Sequence, residues 1–194
     1  MRIISGNARG IRLTAPPGEA VRPTTDRVKE SVFASLGPVA GYAVADLFSG
    51  SGALGLEALS RGAAQVILVE RDRRALAALR ANAAAVLHAM GAAAGALVVA
   101  PVDVSRVPQR LAEWAGKLQL ILADPPYEPA AGSYGAPALL RDPAFADWAG
   151  DALLVLEHAV GTPLPWFPEG HWRLERQKPF GSLVVSFARR QCRG

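Results

Sequence analysis

The stretch Ala43-Val44-Ala45-Asp46-Leu47-Phe48-Ser49-Gly50-Ser51-Gly52-Ala53-Leu54-Gly55 decides the fold. Ala43 to Phe48 is a short and almost continuously apolar run, the pattern of a strand covered on both faces. Glycines follow at once, and a helix is predicted from about Ala53 to Arg61. Gln65 to Glu70 reads as a second strand, which closes a strand-helix-strand unit. Gly50, Gly52 and Gly55 fit G-x-G-x-x-G between the strand and the helix, and Glu70 ends the next strand 18 residues after Gly52. This spacing marks a loop that lets a nucleotide approach the backbone, with an acid placed for ribose hydroxyls.

Read alone, that loop points to a nicotinamide dinucleotide. Asp46 argues against it. It stands four residues before Gly50, at the end of the first strand. Helix N-termini attract phosphate through backbone N–H groups and the helix dipole, and a carboxylate beside that place repels it. Asp46 suits a cationic ligand instead, and S-adenosylmethionine (SAM) combines adenosine with a sulfonium and an α-ammonium group but no phosphate. A P-loop is excluded, because no Gly-Lys-Ser/Thr ending follows. Asp103 is placed either to meet an adenine edge or to cap a helix that starts near Ser105.

Outward from this unit the alternation continues. Asp72 to Met90 reads as a long helix, Ala96 to Pro101 as a strand, Ser105 to Ala115 as a helix and Leu118 to Ala123 as a fourth strand. A loop and helix fill roughly 128–149, Ala152 to Glu157 is a fifth strand, and Trp172–Glu175 with Leu183–Phe187 resembles a closing hairpin. Apolar strands alternating with helices predict a mostly parallel sheet with helices on both faces. The last two strands leave no room for a helix between them, so one of them runs antiparallel. Upstream, Arg2–Ser5 and Ile11–Thr14 form a small hairpin around Gly6-Asn7-Ala8-Arg9-Gly10. Pro16-Pro17-Gly18 breaks the chain. Thr24 or Thr25 caps a helix that runs to about Leu36. The predicted division is an extension over residues 1–38 and a catalytic domain over 39–194.

Asp124-Pro125-Pro126-Tyr127 follows the fourth strand. In an open α/β sheet the first and fourth strands flank the switch point where ligands bind. Two prolines remove two N–H donors and stiffen the turn, so the rim becomes rich in acceptors. Tyr127 adds a flat face. An exocyclic amino group on a base is a poor nucleophile, because its lone pair is delocalised into the ring. Acceptors that hold its hydrogens aim the lone pair at an electrophile, and an aromatic ring can stack on the base for about 1–3 kcal/mol. Catalysis then comes from proximity and orientation. Asp124 either orients the amino group or also accepts its proton.

Composition sets the bounds. The 194 residues are 51% hydrophobic and 20% charged, which is a globular balance and not a disordered one. The single cysteine, Cys192, can form neither an internal disulfide nor a zinc cluster, so the expectation is a cytoplasmic protein without a metal. The start lacks the apolar core of a signal peptide. Leu76 to Ala100 is interrupted by Arg80, Asn82 and His88, too polar for a membrane span. Charge is segregated. Residues 1–30 carry six Lys/Arg against three Asp/Glu and residues 171–194 six against one, while the middle is net acidic. Basic ends suit a polyanion, and equally an ordinary solvated surface.

Asp46-Leu47-Phe48-Ser49-Gly50-Ser51-Gly52 resembles the SAM loop of class I methyltransferases. Asp124-Pro125-Pro126-Tyr127 resembles the amino-methylating motif shared by DNA adenine, RNA guanine-N2 and protein glutamine methylases. Arg2-Ile3-Ile4-Ser5-Gly6, Arg9-Gly10, Arg22-Pro23-Thr24-Thr25-Asp26-Arg27-Val28-Lys29-Glu30, Gly52 to Gly62 and Glu175 to Gly181 together resemble the RsmD family. The resemblance implies a seven-stranded class I (Rossmann-like) fold with a hairpin extension. It also implies methylation of guanine N2 in 16S ribosomal RNA, presented in the small subunit or an assembly intermediate. Carried over, the cofactor set is Asp46, Phe48, Gly50, Ser51, Gly52, Glu70, Arg71 and Asp103. The catalytic set is Asp124, Pro125, Pro126 and Tyr127. Arg2, Arg9, Arg12, Arg22, Thr25 and Arg27 face RNA. The protein is expected to act as a monomer. Competing readings are a DNA adenine-N6 methylase, for which 194 residues leave little room for target recognition, a nicotinamide-dependent oxidoreductase, and a non-catalytic RNA-binding protein.

Overall fold

The computed structural model describes residues 1–16, 26–126 and 134–191. Tyr127, Arg22, Thr24, Thr25, Cys192, the Pro17-Gly18 break and most of the segment after the Asp-Pro-Pro-Tyr motif lie outside these residues. The chain divides into two compact units, Met1–Pro101 and Val102–Gly194.

The first unit holds β1 (Ala43–Leu47), β2 (Gln65–Val69) and β3 (Ala96–Ala100), parallel and ordered β3-β2-β1. Its helices are α1 (Asp26–Leu36), α2 (Ala53–Ser60) and α3 (Arg73–Met90). Val44 to Leu47 and Val66 to Val69 are all buried, as their apolar runs require. Every residue of α2 is buried, including Glu57 and Ser60. A helix buried all round needs cover on every side. The strands cover one side, and the N-terminal segment covers another. Asn7 N–H donates to the Ser60 carbonyl (2.8 Å), Ala8 N–H to Ser60 Oγ (2.9 Å), and Ser60 Oγ to the Ser5 carbonyl (2.6 Å). The predicted hairpin is present in reduced form. Arg2 and Arg12 make a single antiparallel bridge, backed by Ile3 N–H to Ile11 O and Gly10 N–H to Ile3 O, both 2.9 Å. Helix α3 is long and apolar enough by length and composition to cross a membrane. Here its Leu76, Leu79, Ala83 and Val86 are buried within the unit, while Arg73, Arg74 and Arg80 are exposed.

The second unit holds β4 (Leu120–Ala123), β5 (Leu153–Ala159), β6 (Trp172–Phe180) and β7 (Leu183–Arg190), ordered β4-β5-β7-β6. β4 and β5 are parallel, and β7 runs antiparallel to both β5 and β6, so the one reversed strand is in the closing pair. Two predicted helices come out broken. In place of Ser105–Ala115 there is a 3-10 turn at Val104–Arg106, α4 at Val107–Arg110 and another 3-10 turn at Ala112–Trp114. Leu111 leaves helical geometry (φ −126°, ψ 39°), and its carbonyl accepts from the Trp148 indole Nε1 at 2.7 Å. The helix of 128–149 is two helices, α5 (Ala136–Arg141) and α6 (Pro143–Ala149). Pro143 disfavours helical geometry at Asp142, which instead caps α6 by accepting from Ala144 and Phe145 N–H. β6 and β7 run past the predicted hairpin, because β6, after a register shift between Leu174 and Arg176, goes on pairing with β7 through the polar run Arg176–Lys178.

Candidate active site

In the first unit the loop after β1 is shaped by left-handed residues. Phe48 (φ 59°), Gly50 (φ 52°) and Gly52 (φ 82°) alternate along it. A non-glycine residue in this region costs about 1–3 kcal/mol and marks a loop whose shape the surroundings impose. The two glycines face different ways. A Cβ on Gly50 would meet nothing nearer than the Phe48 carbonyl at 3.9 Å, so its backbone is open to an approaching ligand. A Cβ on Gly52 would lie 2.5 Å from Leu79 Cδ1 and 3.0 Å from Leu56 Cδ1, on the core side. Gly52→Val is therefore expected to act through the fold. Positive φ and the clash together cost about 3 kcal/mol, so the melting temperature falls along with affinity for the nucleoside donor. A valine variant of unchanged stability that loses only donor affinity would place Gly52 at the ligand instead.

Both acids of the loop are already engaged. Asp46 is 2% exposed, and its Oδ2 accepts from the Gly55 N–H in the first turn of α2 at 2.8 Å. Burial, with a smaller contribution from the charge of Glu70, outweighs that hydrogen bond and pushes its carboxyl up to about 7. Half-buried Glu70 accepts from Gly50 N–H through Oε2 (2.9 Å), and from Arg71 and Asp72 N–H through Oε1 (2.7 and 2.8 Å). The carboxylates thus hold N–H groups that a pyrophosphate would need, which disfavours a dinucleotide. Ser51 is buried, with its hydroxyl on Met1 Sδ (3.7 Å) and its carbonyl accepting from Asn82 Nδ2 (2.9 Å). Arg71 is exposed.

Asp103 and the Asp124–Tyr127 motif of the predicted set belong to the second unit. Asp103 caps the 3-10 turn, accepting from Ser105 N–H (2.9 Å) and Oγ (2.7 Å). That is the capping alternative of the sequence reading. Asp124, Pro125 and Pro126 follow β4, whose four residues are all buried, so the motif starts from a fixed strand end. Pro125 is buried and Pro126 exposed. Further on, the Tyr134 hydroxyl donates to Asp142 Oδ2 at 2.8 Å, and burial together with that carboxylate raises its pKa. Tyr134 and the α6 cap thus fix the chain where it returns from the motif.

Sequence reasoning missed the centre of the first unit. Glu57 on α2 is 0% exposed. It accepts from Ile4 N–H (2.8 Å), Ser5 N–H (3.0 Å) and Arg61 Nε (2.8 Å), and it pairs with Lys29 Nζ at 3.5 Å. Lys29, on α1, is also 0% exposed and donates to the Arg2 carbonyl. Burial lowers its pKa against the pull of Glu57. The readable signal was charge at positions that the helix period turns inward. Arg2, Arg9, Arg12 and Arg27 are exposed on this supported segment and on α1.

The family described as Conserved hypothetical protein 95 matches residues 1–189. The ribosomal RNA small subunit methyltransferase D of Escherichia coli is 36% identical over 202 aligned residues, covering 100% of this chain and 92% of its own. The Haemophilus influenzae protein of the same name is 32% identical over 96% of this chain and 91% of its own. A release factor glutamine methyltransferase of Mycolicibacterium smegmatis is 31% identical, but the match spans only 54% of its length. Among solved structures, a putative methyltransferase of Escherichia coli (yhhF) superposes with a TM-score of 0.75 at 32% identity, covering 100% of this chain and 99% of that one. A putative methylase of Haemophilus influenzae superposes with a TM-score of 0.69 at 27% identity over 98% of both chains. The seven strands, one of them reversed, and their surrounding helices are those of a class I methyltransferase. With the family match running from the first residue nearly to the last, the chain belongs to the RsmD family of ribosomal RNA methyltransferases.

Proposed function

We propose that this protein transfers a methyl group from SAM to the exocyclic N2 amino group of a guanine in 16S ribosomal RNA, presented in the small subunit or an assembly intermediate. The observation that carries the choice of donor is the glycine loop, where built-in carboxylates stand in place of a phosphate site and the Gly50 backbone is open. These residues fit a nucleoside donor. Glu70 would take the ribose hydroxyls, with Phe48, Arg71 and Asp103 around the nucleoside and Asp46 nearest the cationic end. SAM, when bound, supplies a methyl group activated by its sulfonium. Asp124 and the Pro125 carbonyl hold the amino hydrogens and aim the nitrogen lone pair, Pro126 keeps the turn free of competing N–H donors, and Tyr127 stacks on the base. Residues 1–38 form the RNA-facing extension and residues 39–194 the catalytic domain, acting as a monomer.

Arg2 and Arg12 support the polyanion reading. They face one another across an antiparallel bridge. Arg2 also pairs with Asp26 at 3.5 Å, so part of this like-charge contact is already compensated, and a phosphate backbone would add counter-charge to what remains. Arg9→Ala combined with Arg12→Ala is expected to weaken RNA binding and to reduce the slope of log affinity against log salt by about 1.5–2, with SAM affinity unchanged. Filter binding across a salt series measures both. An unaltered slope would remove these arginines from the phosphate contact.

The carboxyl of Asp46 adds a pH test. Its folded value of about 7 lies above the ordinary 3.8, so its contribution to stability is full below about pH 4 and is lost as pH rises through 7. A cationic ligand favours the ionised form. SAM affinity is therefore expected to rise between pH 6 and 8, by at most about tenfold per pH unit below the folded value. A flat profile by calorimetry would take Asp46 away from the cation.

The deciding experiment is transfer from labelled SAM to small subunits lacking the modification, to naked 16S RNA and to unmethylated DNA, with nucleoside analysis. N2-methylguanosine from a ribosomal substrate is the expected product. N6-methyladenine in DNA would overturn the substrate, and no transfer to any of the three would overturn the reading.

A further inference from the structure

Asn82 is an unusual residue for its place. It lies in the middle of α3, in an alanine-rich helix, and is 3% exposed. Asparagine is a poor helix former, and a buried carboxamide is costly unless its groups find partners. Here they do, in two places at once. Its Oδ1 accepts from the Thr14 N–H and its Nδ2 donates to the Thr14 carbonyl, both at 2.9 Å, which copies the pairing of a neighbouring strand. The second hydrogen of the same Nδ2 goes to the Ser51 carbonyl, also at 2.9 Å. Ser51 lies between Gly50 and Gly52. Thr14 follows the bridged arginines Arg2 and Arg12. One turn earlier on α3, Leu79 stands under Gly52. A single side chain therefore ties the basic N-terminal segment to the backbone of the glycine loop.

We propose that Asn82 is a positioning residue that couples the two, so that polyanion held by the segment and the nucleoside donor held by the loop bind cooperatively. The inference rests on the proposed reading of segment and loop. An ordered segment fixes the carboxamide plane, and the fixed carboxamide holds the Ser51 carbonyl and with it the turn at Gly50. Whichever ligand binds first has already ordered part of what the other requires, and the linkage is reciprocal.

The test is equilibrium dialysis of labelled S-adenosylhomocysteine, with and without small subunits lacking the modification. For the unaltered protein the subunits are expected to tighten binding at least about fivefold, the low end for coupled sites. Asn82→Ala is expected to weaken S-adenosylhomocysteine binding and to bring this ratio close to one. Thr14→Pro removes the N–H that donates to Asn82 Oδ1, fixes φ at that position, and leaves the Asn82 bond to the Ser51 carbonyl. It is expected to bind S-adenosylhomocysteine normally in the absence of subunits and still to lose the ratio, so it carries the test if Asn82→Ala folds poorly. A ratio of one in the unaltered protein, or a full ratio in either folded variant, would overturn the proposal. A purely structural role for Asn82 would lower the melting temperature and leave the ratio intact. If the unaltered protein bound neither probe, the proposed function itself would fall.

Discussion

Asp124→Ala is expected to lower turnover by about 10²–10⁴-fold, the range seen when a positioned polar group acting in the transition state is removed. The affinity for S-adenosylhomocysteine should stay within about threefold, because the glycine loop, Asp46 and Glu70 are untouched. The reason lies in the chemistry of the acceptor. An amino group conjugated with a base has no directed lone pair until its hydrogens are held, and alanine holds none. Asp124 starts from a buried strand whose Leu120, Ile121, Leu122 and Ala123 leave it little freedom, and Pro125 is itself buried. The loss should therefore be in chemistry and not in folding. Asp124→Asn separates the two roles left open above. It keeps an oxygen acceptor but cannot take a proton at neutral pH. Orientation alone predicts that the asparagine variant retains most of its rate, whereas proton acceptance predicts a loss close to that of alanine. Single-turnover methylation of ribosomal substrate measures both variants, and wild-type turnover in Asp124→Ala would remove the residue from catalysis.

The largest effect on stability is expected at Glu57. Replacing it with alanine leaves the Lys29 ammonium inside the protein, both groups being 0% exposed. It also strips the N–H groups of Ile4 and Ser5 of their acceptor. Breaking a buried ion pair from one side costs about 3–5 kcal/mol. For a chain of this size that is a fall of about 10 °C in melting temperature. The charge itself is not the source of the stability. Glu57→Leu combined with Lys29→Met should recover the part of the loss that comes from the stranded ammonium, but not the part that comes from the Ile4 and Ser5 N–H groups. Calorimetry of the single and double variants decides it. A shift below 2 °C for Glu57→Ala would show that water reaches Lys29.

The parts of the site that were legible are those written in adjacent residues. The β1 turn and α2 announce themselves because strand, glycines and helix follow within 18 residues, and positive φ at Gly50 and Gly52 is a local demand of the turn. The Asp-Pro-Pro motif at the end of β4 is legible for the same reason, since proline acts on its own neighbours. The reversed strand followed from chain length between β6 and β7. Asp103 could be narrowed to two roles, and only the bond to Ser105 shows the cap.

What the sequence by itself determined is the alternation of strands and helices, the identity of the glycine loop and the resemblance to a family that the chain proves to belong to. Tertiary structure alone decided the rest. The helix begun after Asp103 breaks because the Leu111 carbonyl meets Trp148, 37 residues away. β6 continues through Arg176–Lys178 because β7 pairs with it. Glu57 serves Ile4, 53 residues earlier, and Asn82 serves Thr14, 68 residues earlier. A buried polar group must find a partner, but nothing in its own neighbourhood says which one. That choice is made only when packing brings distant backbone within reach.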